Sequence, residues 1–177
     1  MLITGCSSTD KFYLKTGFLT WDTFADQLGT GSSVTEAKSI LTGDGDAEIR
    51  LVKAEHPAED STDKKYPYSA VFFRFNKTHD PVDLSGYKEI HLEYRLSGQL
   101  CLMLAQEGIP SGQEYRVELP SHEKYTQSVF SLEDFAQPEW VTKPYPLDLK
   151  KISGVKFRIT AHEKTTSILG IRSFALK

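Results

Sequence analysis

Residues 89–106 read EIHLEYRLSGQLCLMLAQ, and this stretch decides the fold. In 89–96 apolar side chains alternate with Glu, His and Arg, which is the period-two pattern of a strand with one face in a core and one in water. Ser97-Gly98 then marks a turn. In 100–106 both alternating sets are apolar, so a loop or the N-terminal tail covers this strand, or the strand forms the floor of a groove. The stretch therefore predicts two strands with differently used faces.

The period-two pattern recurs along the chain, and clusters of Gly, Pro, Asp and Ser separate the segments at intervals typical of turns. Weaker strand signals lie near Phe18 and Val34, and only 21–28 and 132–135 could form a turn or two of helix. About ten short strands predict an all-β fold, an antiparallel β-sandwich of jelly-roll type. The clearest predicted strands are 47–53, 70–76, 89–96, 100–106, 115–119, 125–132, 154–160 and 167–176.

Length and composition limit the class of protein. A chain of 177 residues is expected to form one domain around one core. Lys plus Arg is 21 and Asp plus Glu is 24, so the net charge of −3 gives no broad positive field for nucleic acid or anionic lipid. Ten Phe, eight Tyr and two Trp are more large rings than one core is expected to hide, so some should face water. We expect a soluble monomer.

The two cysteines, Cys6 and Cys101, have such different contexts that a disulfide is not expected. Cys101 lies in an apolar strand, where a thiol acts as a small hydrophobe. Cys6 ends the run LITGC and precedes SSTD, which resembles a bacterial lipobox followed by a polar tether, although a chance match is the alternative and no charged or long apolar signal region precedes it. We expect a tether over 1–14 with Cys6 as lipidation site, one domain over 15–177, and a secreted or lipid-anchored location outside the cytoplasm, with membrane contact only through that anchor.

Sequence motifs of the common enzyme classes are missing. The chain has no GxSxG, HExxH or GxxxxGK motif and no GxGxxG after a strand, and its five His residues are scattered. The carboxylate pair Glu133-Asp134 occupies adjacent positions on a short turn, where two side chains rarely converge on one glycosidic oxygen. We expect no catalytic activity and no catalytic residues.

From residue 83 onward the chain reads, in order, DLSGYKEI (83–90), an apolar strand, YTQSVF (125–130), LEDF (132–135), QPEW (137–140), LDL (147–149), VKF (155–157) and a closing strand (169–176). This ordered set resembles the jelly-roll carbohydrate-binding modules, most of all the β-glucan-binding kind of family 11 and their galactose-binding-like relatives. The resemblance covers about 17–177. It implies a non-catalytic domain that holds a glycan chain on a concave sheet.

Such modules often hold a structural calcium near the first and last strands. In this chain Arg172 and Ser173 stand in the closing strand where relatives commonly have acidic residues. The motif Asp-Gly-Asp at 44–46 fits a tight turn better than a cation that needs six to eight oxygen ligands. We therefore expect no tight metal site and no cofactor. The carboxylates that remain as candidate calcium ligands are Asp22, Asp26, Asp44 and Asp46.

Candidate glycan-binding residues combine rings, which stack on sugar CH faces, with polar groups for the hydroxyls. Tyr66 and Tyr68 precede a strand, and Trp140 and Tyr145 lie in a proline-rich loop at 137–146, where Trp140 is either an exposed platform or a buried plug. The full candidate set is Tyr66, Tyr68, Met103, Gln106, Arg116, Trp140, Tyr145 and Arg158.

The polar members of that set have a simpler alternative role. Gln106, Arg116 and Arg158 are expected to form a polar ladder beside Met103. Arg116 and Arg158 would otherwise be surface charges paired with Glu118 or Glu93, which contribute little. The rival to glycan binding is a structural or protein-interaction module in which the chain itself fills the groove.

Overall fold

The computed structural model describes residues 20–25, 34–38, 47–53, 68–75, 78, 80–159 and 165–177. Ten strands lie in these ranges, together with short 3₁₀ helices at Leu132–Asp134 and Leu149–Lys151. No helix among the described residues is long and apolar enough to cross a membrane. The strands are β1 (Thr20–Ala25), β2 (Val34–Lys38), β3 (Ala47–Lys53), β4 (Ser69–Arg74), β5 (Glu89–Ser97), β6 (Leu100–Gln106), β7 (Tyr115–Leu119), β8 (His122–Ser131), β9 (Ile152–Arg158) and β10 (Thr165–Leu176).

The strands form two five-stranded antiparallel sheets. Sheet I has the order β1-β4-β9-β6-β7, and sheet II has the order β2-β3-β10-β5-β8. The predicted antiparallel β-sandwich of about ten strands is confirmed. β5 and β6 follow each other in the chain yet belong to different sheets, so the turn at Ser97-Gly98 crosses the sandwich.

Gly98 is required at that crossing. Its φ is +102°, and an added Cβ would lie 2.6 Å from Ser167 Oγ and 2.8 Å from the Thr166 carbonyl oxygen. The Ser167 hydroxyl in turn accepts from the Gln99 amide at 3.1 Å and donates to the Gln99 carbonyl at 3.0 Å. A left-handed backbone in such close contact favours glycine.

The core lies between the sheets and is built from the inward set of each strand. In β5 the alternation predicted from the sequence is observed: Ile90, Leu92, Tyr94 and Leu96 are buried, whereas the intervening side chains are half-buried. The Tyr94 hydroxyl keeps a hydrogen bond in the core by donating to the Pro120 carbonyl at 2.8 Å. Burial raises the pKa of Tyr94, and a hydrogen bond with Ser128 opposes that rise.

Most predicted element boundaries agree with the structure within about three residues, and 47–53, 100–106 and 115–119 match in full. The turn of helix at 132–135 is confirmed as a 3₁₀ helix, capped where the Glu133 amide donates to Ser131 Oγ at 3.3 Å. The helical alternative for 21–28 is wrong, because Thr20–Ala25 pairs with β4 and places Trp21 opposite Phe73. Sheet pairing overrides the local helical preference there.

Candidate functional site

The side chains of sheet I that point away from the core define its outer face. The register aligns Phe72, Lys156, Met103 and Arg116 in one row across β4, β9, β6 and β7. The described members of the outer face of sheet I are Ala70, Phe72, Arg74, Gly154, Lys156, Arg158, Cys101, Met103, Ala105, Arg116 and Glu118.

The floor of this face is apolar and covered. Cys101 and Met103 are each 1% exposed, and Ala105 is 5% exposed. The doubly apolar pattern of β6 therefore corresponds to a strand with protein groups on both faces, and Cys101 is a buried thiol. Met103 is part of this floor and offers almost no surface to a ligand. Loop 107–114 lies close to the face, since an added Cβ on Gly112 would be 3.2 Å from Arg158 Nη1.

A buried ion pair joins that loop to the face. Lys156 Nζ donates to Glu114 Oε1, and the Gly112 amide donates to Glu114 Oε2. The Glu114 side chain is 2% exposed and that of Lys156 is 19% exposed. Both oxygens of the Glu114 carboxylate therefore have hydrogen-bond partners within the protein. The ion pair holds the loop against β9, although Lys156 lies 42 residues after Glu114 in the sequence.

Arg158 and Tyr68 form a stacked pair beside the floor. The Arg158 guanidinium carbon lies 4.7 Å from the centre of the Tyr68 ring, within cation–π range. Burial lowers the pKa of Arg158 below its usual value, Arg116 lowers it further, and Glu114 and Tyr68 act in the opposite direction. Arg158 remains charged at neutral pH.

Arg116 faces the same side from β7, opposite Met103 in the register. Its backbone is fixed by a bridge to Ala136, with the Arg116 amide donating at 2.9 Å and the Ala136 amide donating back at 3.1 Å. The bridge extends the β7 edge of sheet I and leads into the segment that carries Trp140.

The segment 137–148 is held by side-chain hydrogen bonds. Gln137 donates through Nε2 to the Gln113 carbonyl and accepts from the Tyr145 amide, both at 2.7 Å. The Tyr115 hydroxyl donates to the Tyr145 carbonyl, also at 2.7 Å. Trp140 is 61% exposed on this segment, so it is a surface ring and not a core plug. The Tyr145 side chain is half-buried, and its main chain anchors the loop.

Gln106 has a structural role in the same segment. Its Nε2 donates to the Pro146 carbonyl at 3.0 Å, and its Oε1 accepts from the Asp148 amide at 2.8 Å. These two bonds tie the end of β6 to the chain before β9. The amide is thus a loop anchor, which the sequence pattern did not reveal.

The structure brings together part of the predicted set. Tyr68 contacts Arg158, which shares the outer face of sheet I with Met103 and Arg116. Trp140 and Tyr145 belong to the segment 137–148 next to that sheet, and Gln106 at the end of β6 is hydrogen-bonded to that segment. Tyr66 lies outside the described residues, as does Cys6.

The simpler role expected for the two arginines does not match the structure. Glu93 pairs with Arg172 at 3.1 Å on sheet II, and no carboxylate in the described ranges forms an ion pair with Arg116 or Arg158. The analysis of the sequence missed Glu114 and Lys156. The polar face of 154–160 contained Lys156, but its partner could not be read from that pattern.

The carboxylates considered as metal ligands or as a catalytic pair lie at separate places in the chain. Among the described side chains, no three His, Cys, Asp or Glu residues lie together in a way that could hold a metal ion. Asp26, Asp44 and Asp46 lie outside the described residues, and Asp22 is placed on β1 by its backbone. Glu133 and Asp134 are exposed on their 3₁₀ helix.

Solved structures share this architecture over nearly the whole chain. The family 11 carbohydrate-binding module of the cellulosomal cellulase Lic26A-Cel5E of Clostridium thermocellum superposes with a TM-score of 0.63 at 16% identity, covering 96% of this chain and 95% of that chain. This chain has the fold of a family 11 carbohydrate-binding module. The family 11 module of the same organism in complex with a β-1,3-1,4-mixed-linked tetrasaccharide gives a TM-score of 0.59 at 15% identity over 94% of this chain and 93% of that chain.

The similarity is one of structure. No family model matches the sequence, and no curated protein matches it. The resemblance inferred from the ordered segments after residue 83 is confirmed at the level of the fold, because the superposed family 11 structures cover almost the entire length of both chains.

Proposed function

We propose that this protein is a non-catalytic carbohydrate-binding module that holds a glycan chain on the outer face of sheet I and on the adjoining Trp140 segment. The observation that carries the proposal is the Tyr68–Arg158 stack beside Arg116 on a sheet of this fold. The two guanidiniums supply hydrogen-bond donors, and sugar hydroxyls are suitable acceptors.

Trp140 supplies the second element of a sugar site. With 61% of its surface exposed, the indole ring can stack on the CH-rich face of a pyranose ring. The hydrogen bonds of Gln137 and Tyr115 restrain the segment that carries it, so less conformational entropy is lost on binding. We propose a glycan with a β-glucan-like backbone as the ligand, by analogy with the mixed-linked tetrasaccharide in the superposed module.

The test is isothermal titration calorimetry with β-1,3-1,4-glucan oligosaccharides, using Trp140→Ala and Val129→Ala as matched variants. Both residues are exposed hydrophobics, but Val129, at 55% exposure, lies on β8 of sheet II. Trp140→Ala should weaken binding by about 1–3 kcal/mol if the ring is a hot spot. It should leave stability unchanged, and Val129→Ala should leave both unchanged. Equal affinity of all three proteins would contradict the proposed site, and absence of binding to neutral and acidic glycans alike would contradict the function.

One observation favours a second candidate function. The floor residues Cys101, Met103 and Ala105 are covered, which agrees with a structural or protein-interaction module whose groove is filled by its own chain. The same titrations separate the two candidates, because a module of this second kind gives no heat with any glycan. Release of reducing sugar from the glucan would instead reveal an enzyme.

We also propose that the module works outside the cytoplasm as a monomer, tethered to a membrane through Cys6. The support is the LITGC sequence and the polar residues that follow it. Expression of the chain behind a bacterial signal peptide should place it in the membrane fraction, and Cys6→Ser should release it. Equal partition of both proteins would contradict the anchor.

A further inference from the structure

The outer face of sheet I carries an excess of positive charge in its described part. Its strands contribute Arg74, Lys156, Arg158 and Arg116, whereas the acidic positions on the same face are Glu118 on β7 and, by register, Asp22 on β1. The chain as a whole has a formal charge of −3, so this face is positive although the whole chain is negative. A neutral glycan needs donors but has no need of this charge.

The Glu114 carboxylate beside this face already has partners on both of its oxygens. Glu114 accepts from Lys156 and from the Gly112 amide, and its side chain is almost fully buried. Glu114 and Lys156 therefore form a closed pair, which leaves Arg116 and Arg158 as cations without an ion-pair partner among the described residues.

Arg158 on β9 and Arg116 on β7 flank β6 on the same face, opposite Cys101 and Met103, and the positive charge of Arg116 lowers the pKa of Arg158. Tyr68 restrains Arg158, whose guanidinium carbon lies over the Tyr68 ring at 4.7 Å from the ring centre. A stacked guanidinium keeps its N–H groups in the plane of the fork, where they can donate to a carboxylate in bidentate fashion. An anion placed between Arg116 and Arg158 would relieve their repulsion.

We propose that the site prefers acidic glycans, with the carboxylate of a hexuronic acid residue bound by Arg158 and Arg116. This inference rests on the proposed function and specifies its ligand class. Tyr68 acts as a positioning residue for Arg158, and the sugar ring that carries the carboxylate lies over the face between β9 and β7.

The experiment compares two ligands with one backbone. Oligosaccharides of β-1,3-1,4-glucan are titrated beside the same oligosaccharides oxidised at C6 to glucuronate, at low and at high salt. Since hydrogen bonds to charged groups contribute about 1.5–3 kcal/mol, the oxidised form should bind about tenfold or more tightly than the neutral form. The difference should shrink as salt increases.

Variants locate the effect. Arg158→Gln and Arg116→Gln should each weaken binding of both forms, because each removes donors to sugar hydroxyls, and the loss should be about tenfold greater for the oxidised form. Lys124→Gln removes the same charge from an exposed position on β8 of sheet II and should change neither. Arg158→Lys keeps the charge without the planar fork and should recover only part of the affinity. Thermal unfolding of each variant verifies its fold. The salt series on the unmodified protein tests the inference even if a variant fails to fold.

The outcomes separate the two proposals. Equal or tighter binding of the neutral oligosaccharides overturns the acidic-glycan inference and leaves the proposed function intact. Binding of neither form overturns both. A sulfated form of the glucan that binds more tightly than the glucuronate form overturns the assignment to a carboxylate.

Discussion

Replacing Gly154 with Ala tests how closely β4 and β9 approach in sheet I. An added Cβ would lie 2.1 Å from the Phe73 carbonyl oxygen, 2.7 Å from Phe72 Cε2 and 2.9 Å from Arg74 Cα. The first and third of these atoms belong to the backbone of β4. The new methyl group would be more than 1 Å inside ordinary van der Waals contact, so the paired strands have to separate.

The expected cost follows from that geometry. Overpacking of a well-packed site costs about 1–3 kcal/mol, and the upper end applies here because backbone atoms cannot rotate away. For a domain of this size, about 3 kcal/mol corresponds to a fall in Tm of about 6–12 °C. The Phe72 ring would also move, and with it the contacts of Arg74 and Lys156 to that ring at 4.4 and 5.3 Å. Glycan affinity should therefore decrease together with stability.

Urea unfolding measures the change, with Gly86→Ala as the matched control. No atom lies within 4 Å of a Cβ at Gly86, and its φ is outside the left-handed region. Restricting the unfolded chain there should stabilise the protein by about 0.4–1 kcal/mol. If the free energy of unfolding of Gly154→Ala lies within about 0.5 kcal/mol of that of the unmodified protein, the close approach of β4 and β9 is refuted.

Three further expectations concern the supporting structure. Lys156→Met leaves the buried Glu114 carboxylate without its cation and should cost about 3–5 kcal/mol in urea unfolding, whereas adding Glu114→Gln should recover most of that loss; additive effects of the two changes would contradict a coupled pair. Gln106→Ala removes two hydrogen bonds to 146–148 and should cost about 1–3 kcal/mol, with faster amide exchange confined to that segment. A calcium chelator should leave Tm unchanged, because only a metal bound to the native state stabilises it; a fall of many degrees would show that a tight site exists.

Much of the fold follows from local patterns in the sequence. Alternation in β5 identified that strand and its buried set, because side chains of a strand point to opposite faces at a period of two. In β6 the doubly apolar pattern identified the strand but left open whether its second face is covered or is the floor of a groove. The same rule placed Arg158 on the outward face of β9. The sequence left two alternatives for Trp140, an exposed platform or a buried plug. The 61% exposure of the residue in the structure decides for the exposed one.

The candidate site was less accessible to such reasoning. Gln106 was recognised as a polar group at the end of a strand, but its partners lie 40 and 42 residues further on. Lys156 belongs to a polar face in any reading of the sequence, and its pairing with Glu114 also spans 42 residues. A polar side chain in isolation does not show whether it binds a ligand or another part of the chain.

The sequence by itself determined where most strands form, which side chains an alternating strand such as β5 buries, and that the chain is an all-β sandwich. Tertiary structure alone decided which strands are neighbours: β5 and β6 are consecutive but lie in different sheets, whereas β4 pairs with β9. The physical reason is that every strand offers the same backbone donors and acceptors, so hydrogen bonding does not select a partner. Packing of side chains from distant segments selects it, and that packing also brings Tyr68, Arg158 and Arg116 to one sheet.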